Sequence, residues 1–67
     1  MYSFRLEKKD EIINKYKLGF LADEIGISLT YLSNILNGKN DCKKVVAYCI
    51  TKMVDNEKEV EYFFIKK

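Results

Sequence analysis

The stretch from Leu21 to Gly38 leaves the chain few ways to fold. Gly26 stands between Ile25 and Ile27, four positions after Ala22, with Ser28 just beyond and Asn37-Gly38 closing the stretch. Glycine takes a left-handed backbone without a Cβ penalty, so it suits a tight turn between two helices. Ala22 is small where those helices must approach, and Leu21, Ile25, Ile27, Leu32 and Ile35 recur at spacings that give inward faces. Ser28 is placed to accept a bond from an unpaired amide of the next turn, and Asn37-Gly38 supplies a left-handed stop. The spacing therefore predicts a second helix over residues 29–37.

These residues resemble the lambda-repressor-like helix-turn-helix family (Xre or Cro type). Its pattern Leu-Ala-x-x-x-Gly-x-Ser-x-x-x-Leu-Ser-x-Ile-x-x-Gly runs here from Leu21 to Gly38. Where the family opens its first motif helix with a polar cap and a phosphate-binding glutamine, this chain has Lys17-Leu18-Gly19-Phe20. The resemblance implies an all-α fold of four to five helices, with the motif at 20–38. It also implies sequence-specific double-stranded DNA binding by a small repressor of bacterial or phage origin, working as a homodimer on palindromic sites. Half-sites would then lie about 34–36 Å apart.

The residues themselves indicate which side chains would read such a target. Leu29, Thr30, Ser33 and Asn34 lie off the Leu32–Ile35 stripe, so they are the expected base contacts. Asn34 offers donor and acceptor together to adenine, Thr30 bonds an edge or touches a thymine methyl, and Leu29 brings only apolar contact. No arginine stands among them, and the operator is expected to lean towards A·T. Phosphate contacts are expected from Ser28, Tyr31, Lys39, Asn40, Lys43 and Lys44. The net charge is only +2, but Lys39, Lys43, Lys44 and Lys52 follow the reading helix while Asp55, Glu57, Glu59 and Glu61 crowd the segment beyond. Such an arrangement would orient the domain on a polyanion.

Sixty-seven residues suffice for one modest core, so residues 1–67 form a single domain. Residues 7–17 carry Ile12, Ile13 and Tyr16 at helical spacing, giving a first helix. Asp41 is expected to cap a fourth helix over 42–54, with Val46, Ala47, Cys49, Ile50 and Met53 or Val54 inward. Asn56-Glu57-Lys58-Glu59 reads as a capping box for a short last helix. At the two ends Tyr2, Phe4 and Leu6 alternate with Ser3 and Arg5, and Tyr62-Phe63-Phe64-Ile65 is aromatic and β-branched. These ends are expected to pair as a minor antiparallel ribbon. Four consecutive apolar residues cannot all face inward on one small domain, so Tyr62, Phe63, Phe64 and Ile65 are assigned to a partner, a second copy first; the alternative is that they close the monomer's own core.

Other functions find little support. Histidine is absent, Cys42 and Cys49 form no C-x-x-C pair, and neither a phosphate-cradling glycine loop nor a nucleophile with its base is present. No enzyme activity, cofactor, metal or small-molecule substrate is expected. Both cysteines read as small buried residues of the helix after the motif; the other reading is a reactive Cys42, activated by Lys43, Lys44 and a helix start. No run is long and apolar enough to be a signal peptide or a membrane span, so a cytoplasmic location without membrane contact is expected. The competing function is a protein-interaction module on the same fold, such as an antitoxin, antirepressor or inhibitor.

Overall fold

The computed structural model describes residues 1–67, the whole chain. A short strand β1 (Tyr2–Phe4) leads through a 3-10 turn (Leu6–Lys8) into α1 (Lys9–Ile13), α2 (Leu18–Ile25), α3 (Leu29–Leu36) and α4 (Lys44–Val54). The chain ends in α5 (Val60–Phe63) and a strand β2 (Phe64–Lys66). It is a mostly helical domain with five α-helices, closed by a two-stranded antiparallel sheet made from its own ends.

The terminal ribbon forms, but over fewer residues than expected: Leu6 enters the 3-10 turn and lies exposed, and Tyr62-Phe63 belong to α5. Tyr2 pairs with Lys66, Ser3 with Ile65 and Phe4 with Phe64. Tyr2 and Phe4 point into the core on one face of β1 while Ser3 points away, the period of two that a half-buried strand requires. A third backbone segment joins the ribbon's other side. The Tyr2 amide donates to the Cys42 carbonyl at 2.7 Å, and the Cys42 amide returns a bond to Tyr2 at 2.9 Å.

That pairing corrects the expected start of α4. A backbone engaged to β1 on both its donor and its acceptor cannot join a helix, so Cys42 stays extended and α4 begins at Lys44. Asp41 does not cap the helix, because its carboxylate pairs with Lys67 at 3.4 Å. Inside α4 the expected face holds: Ala47, Ile50 and Val54 are buried, and Thr51 joins them by returning its hydroxyl to the Ala47 carbonyl at 2.8 Å.

Two other boundaries also differ. The first helix stops at Ile13, not Lys17, because Lys17 turns extended to let Leu18 and Leu21 approach the core from a new direction. The box at 56–59 caps nothing: Asp55 accepts from the Glu57 amide at 3.1 Å, closing a turn, and α5 starts only at Val60. Such a side-chain turn competes directly with helix initiation.

Gly19 lies in the first turn of α2, and a Cβ there would meet nothing within 4 Å. Gly19→Ala is therefore expected to raise stability by about 0.4–1 kcal/mol, mainly by restricting the unfolded chain. Thermal melts followed by circular dichroism should show Tm rising by roughly 2–8 °C. A lowered Tm would mean that the first turn of α2 needs glycine's freedom.

Candidate nucleic-acid interface

The turn between α2 and α3 is built from its glycine. Gly26 sits at φ 89°, and the amides of Gly26 and Ile27 both return to the Ala22 carbonyl, at 2.9 and 3.0 Å. Both bonds converge on this one carbonyl at the helix end. Ala22 is buried, as the close approach of the helices demands. Ser28 then caps α3, its hydroxyl accepting from the Tyr31 amide at 3.0 Å. At the other end Gly38, at φ 77°, donates to Ile35 at 3.1 Å while Lys39 donates to Asn34 at 2.8 Å. This is the Schellman pair, so α3 is a rod of eight residues, about 12 Å long, fixed at both ends.

The rod is sharply two-sided. Leu32, Ile35 and Leu36 are buried, and Tyr31 packs half-buried against the core. Thr30 is exposed, Leu29 is 51% exposed, and Ser33 and Asn34 are partly open. The four expected base contacts thus share the outer side but are not equally free. Ser33 accepts from the Asn37 amide nitrogen at 3.3 Å, and Asn37 in turn accepts from Lys9 Nζ. Thr30 and Asn34 make no side-chain hydrogen bond within the chain, which leaves their donors and acceptors available. Sequence reading missed the Lys9–Asn37–Ser33 link, since nothing local connects residues 28 positions apart.

Charge is disposed just as unevenly. Lys39, Asn40, Lys43 and Lys44 are exposed, and none of these lysines forms an ion pair. Lys43 is the N-cap of α4 and Lys44 its first residue, with no capping side chain and no acid in the first turn. Cations there add to the positive end of the helix dipole, an unfavourable arrangement that a bound anion relieves. The carboxylate within this segment, Asp41, is offset by Lys67. That ion pair brings Lys67 to this edge as well, a cation the sequence pattern did not assign to it. Lys52 does not belong to the group: it donates to the Asn56 and Lys58 carbonyls, at 3.3 and 2.8 Å, closing the far end of α4. The acidic run follows that far end, about 15 Å along the helix from Lys44.

The assignment of the tail to a partner needs correction. Phe63 and Phe64 are buried in the chain's own core, Phe64 edge-on to Phe4 at 5.4 Å and Phe63 edge-on to Tyr62 at 4.8 Å. Both turn inward because the chain changes from helix to strand between them, with Phe64 at φ −132°. Tyr62 is half-buried and engaged within the monomer. Lys8 and Lys58 lie over its ring at 3.9 and 4.6 Å, and its hydroxyl donates to Glu11 at 2.9 Å. That hydroxyl, with Lys8 at 3.3 Å, holds the Glu11 carboxyl below its usual range; Tyr62 and Glu11 hold Lys8 above its own. Of the four residues only Ile65 points to solvent, 47% exposed.

Cys42 is buried, and burial, reinforced by Asp41, pushes its thiol up to about 11. The thiol stays protonated at neutral pH, opposite to the activated thiolate that neighbouring lysines suggest. Cys49 lies half-buried on α4, and both are free thiols. No helix is long and apolar enough to cross a membrane. No family model, curated protein or solved structure matches the chain.

Proposed function

We propose that the chain is a sequence-specific double-stranded DNA-binding protein of the lambda-repressor-like type, a small repressor of bacterial or phage origin that lays α3 in the major groove. The observation that carries this reading is the juxtaposition along one chain segment of two kinds of unspent group. Thr30 and Asn34 face outward with free hydrogen-bonding atoms, and the uncapped, unpaired Lys43–Lys44 start of α4 follows seven residues after α3 ends. The first kind reads base edges; the second attracts phosphate. Ser28 and Tyr31 at the start of the rod, with Lys39 and Asn40 after it, complete the backbone contacts. With Ser33 tied to Asn37, direct readout falls chiefly to Asn34 and Thr30, and Leu29 contributes contact with a thymine methyl. Two copies related by a dyad would present two rods to successive major grooves.

A mobility shift with random-sequence duplex at two salt concentrations tests the class, because phosphate-driven binding must weaken steeply with salt. Selection from a random duplex pool then yields the operator. On it, Asn34→Ala is expected to cost roughly 1–3 kcal/mol, against little on random duplex. Lys43→Ala should weaken both alike and flatten the salt slope by about 0.9. Equal losses on operator and random duplex for Asn34→Ala would remove it from base readout. Absence of salt-sensitive duplex binding would instead favour a protein-interaction module, a reading supported by the exposure of Leu29 at the start of the rod.

A further inference from the structure

Away from α3 the surface carries a groove of about 290 Å³ between the C-terminal half of α2 and the outer side of α4. Glu24 and Ile25 form one wall; Tyr48, Cys49, Lys52 and Met53 form the other. Helical spacing extends this face, since Phe20 precedes Glu24 by four residues and Val45 precedes Tyr48 by three. The result is an apolar surface flanked by Lys44, which precedes Tyr48 by four residues: Val45 is 65% exposed, Tyr48 51%, and Phe20, stacked on Tyr16, 53%.

The charges on the groove decide what fits it. Glu24 and Lys52 stand on opposite walls, and neither is in an ion pair. Lys52 is held by two backbone carbonyls, and its ammonium lies 5.7 Å from the centre of the Tyr48 ring on the same wall. A partner of one charge sign satisfies one wall and opposes the other. In an isologous two-fold contact residue i meets j while j meets i, so a dyad running along the groove sets Glu24 of each copy against Lys52 of the other. We infer that this face of α2 and α4 packs against the same face of a second copy of the chain, with Val45 and Tyr48 of both copies buried at the contact. No residue of α3 lines the groove, and the dimer stands whether or not the chain binds DNA.

Sedimentation equilibrium of the full chain across micromolar to high micromolar concentration tests this. Wild type is expected to move from the 7.9 kDa chain mass to twice that mass. Val45→Lys with Tyr48→Lys should raise the dissociation constant by about thirtyfold or more, because both sites become charged within the contact. Both residues are exposed in the monomer, so circular dichroism of the variant should match wild type. Glu24→Lys, which sets like charges across the dyad, should raise the constant by about tenfold. Ile65→Lys, on the terminal ribbon, should leave it unchanged. A wild-type chain that stays at its own mass throughout overturns the inference, and so does dimerisation lost with Ile65→Lys but kept with the Val45/Tyr48 variant.

Discussion

Phe64→Ala is expected to lower the melting temperature of the chain by about 12–40 °C. Phe64 is fully buried, meets Phe4 edge-on at 5.4 Å, and is the residue through which β2 pairs with β1 nearest the core. Truncating a buried phenylalanine costs about 3–5 kcal/mol through lost transfer energy and the cavity left behind. Stability for a domain of this length is about 3–10 kcal/mol in total, since so small a chain hides a limited share of its apolar surface. One substitution at this position therefore removes from about a third to all of the margin. Its neighbour supplies the contrast: Ile65 points to solvent from the same strand, and Ile65→Ala should change stability by less than about 0.5 kcal/mol. Urea and thermal melts of both variants provide the measurement. A Phe64→Ala protein melting within a few degrees of wild type would show that the terminal ribbon does not close the core.

The largest effect on binding should come from removing the basic segment. Lys39→Ala, Lys43→Ala and Lys44→Ala combined are expected to lower affinity for random duplex by roughly 500-fold near 0.1 M salt. Each phosphate contact adds about 0.9 to the slope of log affinity against log salt, so three lost contacts flatten it by about 2.7. Fold is not the issue in this variant, because all three side chains are exposed and unpaired. Stability should if anything rise, as two cations leave the positive end of α4. A triple variant with an undiminished salt slope would place the duplex elsewhere on the molecule.

What could be read from the sequence was local, and what could not was decided at a distance. Gly26, Ser28 and Gly38 each act within a few residues, so the turn, the cap and the stop of the α2–α3 pair were legible, as were the outward positions of Leu29, Thr30 and Asn34. The start of α4 was not. It depends on Tyr2, forty residues earlier, taking both backbone bonds of Cys42, and on Lys67 taking the Asp41 carboxylate. The same holds for Ser33, whose hydroxyl is engaged through Asn37 by a lysine from α1. Strand periodicity sends adjacent residues to opposite faces. The inward turn of both Phe63 and Phe64 arises because the boundary between α5 and β2 falls between them.

The ribbon also brings the first and last residues together, the Lys67 amide donating to the Met1 carbonyl at 2.8 Å. A backbone whose extremities already touch can be ligated head to tail through a short spacer without bending anything. By loop entropy alone, such a cyclic form would gain about 4 kcal/mol over the linear one. Opening the circle at an exposed loop elsewhere then gives a permuted molecule in which β1 and β2 become consecutive strands of one hairpin.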